Sequence, residues 1–108
     1  MNLNTKLYHG RRRTSPGPTV VVDDGQRGGF ILRHGRSVPD WNWGPEAQPE
    51  KMETLAQAIL MHTLNDEAAA VELAPAFSRE VVAEFPDAGF TLADWQIEAW
   101  LQVYSAKR

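Results

Sequence analysis

The first 44 residues carry short apolar stretches separated by glycine and proline, which is a pattern typical of a small β-sheet. Residues 6–9 and the β-branched run 19–22 are predicted strands, and a third strand is expected near residues 30–33. Asp24 and Gly25 follow the second stretch, and both residues tolerate the positive φ angles of a tight hairpin turn. These features predict an antiparallel sheet of about three strands.

From residue 49 onward, apolar side chains recur every three or four positions, which is the spacing of amphipathic helices. One helix is predicted over residues 49–64. A second segment, residues 67–84, contains Pro75, and proline removes a helix hydrogen bond and clashes with the preceding turn. We therefore expect two short helices there, one ending at Leu73 and the next beginning at Pro75 or Ala76.

The last helix is expected to begin at Thr91, whose hydroxyl would accept a hydrogen bond from a backbone N–H three residues on, with Asp94 in place of the usual capping-box glutamate. It should run to about Ser105, and its apolar surface is wider than one stripe. That surface comprises Trp95, Ile97, Trp100, Leu101 and Tyr104. The predicted class is α+β, with a small antiparallel sheet followed by, and packed against, three to four α-helices. The predicted core consists of Leu7, Val20, Val22, Ile31, Leu55, Ile59, Phe77, Val81 and Trp100.

The length of 108 residues is close to the commonest domain size, so we expect a single domain over residues 1–108. No apolar run approaches the roughly 20 residues that cross a bilayer, and the first residues lack the apolar stretch of a secretory signal. These features predict a cytoplasmic protein without a membrane partner. The chain has no cysteine, which excludes disulfides, thiolate nucleophiles and zinc–thiolate sites.

Charge divides the chain into a basic β-rich half, residues 1–44, and an acidic helical half, residues 45–108. The first half carries seven Lys and Arg against three Asp, whereas the stretch from Pro45 to Ala106 carries two basic and eleven acidic residues. Such polarity steers association with charged partners.

The sequence carries no recognisable catalytic motif. A nucleophile elbow, a phosphate loop and a nucleotide-binding fingerprint are all absent. His62 and Asp66 are four residues apart and could provide two metal ligands from one helix face, but no third ligand is visible. We therefore predict a protein that is not an enzyme and holds no metal or cofactor, with a small hydrolase or metal-binding protein as the second alternative.

Five motifs follow one another in the chain: YHGRR at residues 8–12, DWNWG at 40–44, LAQAIL at 55–60, FSREVV at 77–82 and TL at 91–92. Their order resembles that of small bacterial and phage proteins grouped as domain of unknown function 6166. The resemblance implies no particular activity. It implies a phage or mobile-element setting, in which small proteins often bind and disable host machinery.

The expected function is a non-catalytic protein–protein interaction module of this phage type, such as an anti-CRISPR-like inhibitor of a host defence complex. Its partner would be a host protein or a ribonucleoprotein complex. The acidic helices could mimic the charge of nucleic acid and occupy a basic groove of that partner. The candidate contact residues in the helices are Glu80, Glu84, Asp94 and Glu98.

The tryptophan pair is a further candidate, because tryptophan is frequent in interface hot spots. Trp41 and Trp43 would share one face of an extended backbone. We expect Trp43 to close the seam between the sheet and the first helix, and Trp41, next to Asp40, to be partly exposed and to contact the partner.

The alternative function is a nucleic-acid-binding module that uses a basic loop. Arg11, Arg12 and Arg13 follow the first strand, and guanidinium groups on a protruding loop pair well with phosphates.

Overall fold

The computed structural model describes residues 6–11, 18–23, 29–32 and 41–106. Its elements are β1 (Leu7–Arg11), β2 (Thr19–Asp23), β3 (Gly29–Ile31), α1 (Pro49–Leu64), α2 (Glu67–Glu80), a short 3-10 turn (Val82–Glu84), β4 (Gly89–Ala93) and α3 (Asp94–Ala106). The predicted α+β class is confirmed. The described part of the chain contains three α-helices, and α1 begins and ends where the sequence predicts.

The described strands form one antiparallel sheet in the order β3-β2-β1-β4. β1 lies inside the sheet, where Leu7 is paired with Asp23 of β2 and with Ala93 of β4. The three amino-terminal strands are confirmed, and β4 is an addition to the predicted sheet. The predicted turn at Asp24 and Gly25 lies outside the described residues.

The expected helix start at Thr91 is wrong, because residues 89–93 form β4 and α3 begins at Asp94. Ala93 stands immediately before the helix, and its backbone N–H donates to the side-chain oxygen of Gln96 at 2.7 Å. This bond is one half of a capping box, displaced by two residues from its predicted place. Pairing with β1 therefore overrides the local preference of Thr91 for a helix cap.

Asp94 joins the start of α3 to the start of β1 through two hydrogen bonds. Its backbone N–H donates to the carbonyl oxygen of Lys6 at 2.9 Å, and its carboxylate accepts from the backbone N–H of Lys6 at 3.2 Å. The chain therefore passes from strand to helix without a loop, and the direction of α3 is set by the sheet.

The predicted break at Pro75 is also wrong, because α2 continues through it from Glu67 to Glu80. The cost of an interior proline is about 3 kcal/mol. α2 offsets this cost by packing against α1 through buried residues, most of which are three or four positions apart. The buried residues of α2 are Ala70, Ala74, Ala76, Phe77 and Ser78.

The core lies between the helices and the inner face of the sheet. Val20, Val22, Leu55, Ile59 and Phe77 are buried as predicted. Val81 and Trp100 are only partly buried, because each lies at the margin of the core. Leu7 is partly buried because it alternates with Tyr8 along β1 and so lies on the other face of the sheet. The side chain of Ile31 lies outside the described residues.

Both tryptophans of the 41–43 segment belong to this core. Trp43 is fully buried, as predicted, and its indole N–H donates to the carbonyl oxygen of Pro86 at 3.1 Å. Trp41 is only 3% exposed and donates to the carbonyl oxygen of Pro18 at 3.1 Å. The expected exposure of Trp41 is therefore wrong, because its polar end is satisfied by the backbone that precedes β2.

Gly10 provides the space that the aromatic part of the core requires. The ring of Phe90, its partner across β1 and β4, lies directly over the glycine and occupies the volume of a Cβ atom. Phe90 then stacks on Phe85, with ring centroids 3.9 Å apart, and meets Trp43 edge to face at 5.0 Å. A residue larger than glycine at this position would displace the Phe90 ring.

We expect Trp41→Ala and Trp43→Ala each to lower the free energy of unfolding by about 3 to 5 kcal/mol, since each removes a buried indole. Urea unfolding followed by circular dichroism measures this change. Trp95→Ala, at an exposed position, is the matched control and should change stability by about 0.5 kcal/mol or less. A stable Trp41→Ala variant would contradict the burial of this indole.

We expect Gly10→Ala to lower the free energy of unfolding by about 1 to 3 kcal/mol through overpacking against Phe90. In a Phe90→Ala background the ring is absent, so the same change should have little further effect. A double-mutant cycle of unfolding free energies measures this coupling, and additive effects of the two substitutions would contradict the contact.

Candidate functional site

The inward side of α3 is held by aromatic contacts with α2. Ile97 is buried, and Trp100 meets Phe77 edge to face with ring centroids 5.0 Å apart. The Trp100 ring also stacks on Tyr104 at 5.0 Å, and its indole N–H donates to the Glu80 carboxylate at 3.0 Å. One apolar side of the helix is therefore packed against the rest of the protein.

A second apolar stripe lies on the opposite, exposed side of α3. Trp95 is 61% exposed and Val103 is 54% exposed, with the exposed Ala99 midway between them in sequence. Residues four apart lie above one another on a helix, and eight residues of helix rise about 12 Å. We call Trp95, Ala99 and Val103 the outer stripe of α3.

The outer stripe is unusual because a surface helix of a globular protein normally has one apolar side and one polar side. α3 has apolar residues on both sides, and the largest exposed apolar residue of the helix is Trp95. A large exposed aromatic residue aligned with other apolar residues indicates a contact surface more strongly than an isolated exposed leucine would.

An acidic residue adjoins the outer stripe. Glu98 is exposed and three residues from Trp95, so the two side chains are neighbours on the helix surface. The sequence from Asp94 to Ala106 contains no Lys or Arg. The surface around the stripe therefore presents apolar area beside negative charge.

The other predicted acidic contacts are dispersed. Glu80 and Glu84 are exposed, and Glu80 accepts the hydrogen bond from Trp100. Asp94 is half-buried and occupied by its bonds with Lys6. Only Glu98 of the four predicted acids lies both exposed and on α3.

Arg11 and Trp41 do not join this surface. Arg11 is exposed at the end of β1, within the sheet, and Trp41 is buried. Arg12 and Arg13 lie outside the described residues. Sequence reasoning included Trp95 in the wide apolar surface of the last helix but did not select it as a contact. The signal that identifies it is the spacing of Trp95, Ala99 and Val103 on the side away from the buried Ile97.

A polar cluster joins β1 to the end of α1. The Tyr8 side chain is buried, and its hydroxyl is hydrogen-bonded to the Thr63 hydroxyl at 2.6 Å and to Nδ1 of His62 at 2.8 Å. Burial raises the pKa of the Tyr8 phenol above its ordinary value of 10.0; the hydrogen bond with Thr63 lowers it, and the charge of Asp94 raises it further. The cluster stabilises the contact between sheet and helix.

His62 and Asp66 each have an internal hydrogen-bond partner. His62 contacts Tyr8, and the Asp66 carboxylate accepts from the backbone N–H of Ala69 at 3.1 Å, which makes it the N-cap of α2. Across residues 6–11, 18–23, 29–32 and 41–106, no three His, Cys, Asp or Glu side chains are grouped as metal ligands would be. Nor does any helix in those ranges combine the length and apolar character needed to cross a membrane.

Comparison with family models identifies the relatives of this chain. The model described as "Family of unknown function (DUF6166)" matches residues 8–103. Comparisons with curated proteins and with solved structures give no match. The match spans β1 to most of α3, and the chain therefore belongs to this family, as the order of its motifs indicates.

We expect the free energy of unfolding to fall more steeply above pH 10 in the wild type than in Tyr8→Phe. The folded state keeps the Tyr8 proton to higher pH than the unfolded chain does. The unfolded state therefore binds fewer protons above pH 10, and stability is lost as pH rises towards the folded-state pKa. Urea unfolding at a series of alkaline pH values measures the slopes. Tyr104→Phe, which removes the other tyrosine, is the matched control, and equal slopes for wild type and Tyr8→Phe would contradict the prediction.

Proposed function

We propose that this member of the family acts as a non-catalytic protein–protein interaction module and that the outer stripe of α3 is its contact surface. The observation that carries the proposal is the exposed Trp95, aligned with Val103 on the side of α3 opposite the core. Tryptophan supplies a large contact area with few rotatable bonds, and it is the residue most enriched in interface hot spots.

The partner that fits this surface has an apolar cleft bordered by basic residues. Glu98 lies beside the outer stripe, and residues 45–106 as a whole carry eleven acidic and two basic residues. A positively charged partner would be steered towards this side of the molecule and held at its rim by charge complementarity.

A second copy of the chain fits the same surface less well. If two α3 helices paired antiparallel about a twofold axis at Ala99, Glu98 of each copy would lie close to Glu98 of the other. Like charges facing each other across an interface are unfavourable, and α3 has no basic residue between Asp94 and Ala106 to compensate. The charge pattern therefore favours a different, basic protein.

We further propose that the biological role is inhibition of a host defence complex, such as a CRISPR effector, by a phage or mobile-element protein in the cytoplasm. The acidic excess of the helical half supports this role, because a groove that accepts nucleic acid also accepts a surface of the same sign of charge. The partner would then be a host protein or a ribonucleoprotein complex with a basic groove.

The two alternatives have different support. A nucleic-acid-binding module is favoured by the exposure of Arg11 at the end of β1. A small hydrolase or metal-binding protein was motivated by His62 with Asp66, and their separate bonds with Tyr8 and Ala69 weaken that motivation.

We expect Trp95→Ala to weaken partner binding by about 2 kcal/mol or more, roughly thirtyfold, while the domain remains folded. The partner would be isolated from host lysate on the immobilised wild-type protein, purified and titrated by calorimetry. Val71→Ala is the matched control, because Val71 is an exposed apolar residue on α2. Glu98→Gln should weaken binding more at low salt than at high salt.

Three outcomes would count against the proposal. Equal affinities of Trp95→Ala and Val71→Ala would show that the outer stripe is not the contact. A wild-type dimer in sedimentation equilibrium that Trp95→Ala abolishes would identify a second copy as the occupant instead of a basic protein. CRISPR interference that stays intact when the protein is expressed would remove that effector as the target.

A further inference from the structure

The sheet and the chain that precedes β4 form a depression whose lining includes no residue of the outer stripe of α3. It has a volume of about 450 Å³, which is within the usual range for small-molecule sites. Its lining combines two polar side chains with apolar residues and glycine backbone. The lining residues are His9, Gly10, Phe85, Pro86, Gly89, Phe90 and Thr91.

The strand register brings the polar groups together. His9 is paired with Thr91 across β1 and β4, and Arg11 is paired with Gly89. Side chains alternate along a strand, so His9, Arg11 and Thr91 all lie on the face of the sheet opposite to Tyr8 and the helices. Because Gly89 has no side chain, no side chain of β4 lies directly opposite Arg11.

His9 and Thr91 always retain a hydrogen-bond donor for a ligand. Nδ1 of His9 lies 3.1 Å from the Thr91 hydroxyl oxygen. If the hydroxyl donates to Nδ1, the imidazole keeps its Nε2–H; if Nδ1–H donates instead, the hydroxyl keeps its own proton. With a doubly protonated imidazole, both donors are retained. The pair therefore suits an acceptor ligand in every protonation state.

Arg11 adds a permanent positive charge to this face. It is exposed and lies two residues beyond His9, about 7 Å along the strand. Guanidinium groups bind phosphate through two parallel hydrogen bonds, which a single ammonium does not offer. The exposed arginine, the His9–Thr91 pair and the apolar lining together match a phosphate ester better than a free metal ion or an apolar ligand.

We propose that this depression binds the phosphate group of a nucleotide, either free or within a nucleic-acid strand. His9, Thr91 and Arg11 contact the phosphate, and the exposed Pro86 supplies apolar surface for the attached sugar or base. The site is separate from the outer stripe of α3 and does not depend on it. A protein with both surfaces can contact the protein part and the nucleic-acid part of one ribonucleoprotein.

The test measures binding of three probes to the full-length protein at low salt: inorganic phosphate, a nucleoside monophosphate, and a single-stranded RNA of about ten nucleotides. Calorimetry serves for the small probes and fluorescence anisotropy for the RNA. Arg11→Gln should weaken binding about tenfold or more, since it removes a charged hydrogen-bond donor. Thr91→Val, which keeps the shape of the side chain, should weaken binding severalfold.

Arg79→Gln is the matched control, because it removes the same charge from an exposed position on α2. Its binding should stay within about twofold of the wild type. Trp95→Ala should also leave binding unchanged, which separates this site from the proposed protein contact. Circular dichroism of each variant confirms folding.

Each outcome decides the proposal. Arg11- and Thr91-dependent binding of the small probes identifies a free nucleotide as the ligand. The same dependence for the RNA alone identifies a nucleic-acid strand. Absence of binding by all three probes overturns the proposal, as does an equal loss in Arg11→Gln and Arg79→Gln, because the attraction would then depend on net charge alone.

Discussion

The pairing of β4 with β1 is the interaction on which the rest of the structure depends. It places Phe90 over Gly10, and Phe90 in turn provides the surface against which the Trp43 ring is packed. It also joins Asp94 to Lys6, so that α3 leaves the sheet in one fixed direction. The outer stripe faces away from the core because of this direction. The depression beside His9 depends on the same pairing, which places Thr91 opposite His9.

The features that the sequence predicts well are those decided by neighbouring residues. α1 has a proline at its first position and a continuous apolar stripe, so both its boundaries and its buried side follow from local pattern. β2 is equally clear, because a run of three valines favours an extended backbone.

The features that sequence reasoning missed are decided by distant partners. The segment from Thr91 to Asp94 has the composition of a helix start, and only pairing with residues more than 80 positions away makes its first three residues part of a strand. Trp41 follows an aspartate in a polar stretch, yet its indole N–H bonds to Pro18, which lies 23 residues earlier. The same limit applies to the candidate sites. The outer stripe can be found from the spacing within α3, whereas the association of His9 with Thr91 requires the strand register.

The edge strand β4 shows how the fold limits unwanted assembly. The hydrogen bond from Asp94 to Lys6 sets the alternation along β4. The backbone groups of Phe90 and Leu92 therefore point towards β1, and those of Gly89, Thr91 and Ala93 point outward. The outward N–H of Gly89 donates to the carbonyl oxygen of Pro86, and that of Ala93 donates to Gln96. Of the N–H groups along this edge, only that of Thr91 is left for another strand, and one donor cannot support a continuous ladder. The hydrogen bond from Ala93 to Gln96, which caps α3, thus also protects the edge of the sheet from the strand-to-strand addition that leads to aggregation.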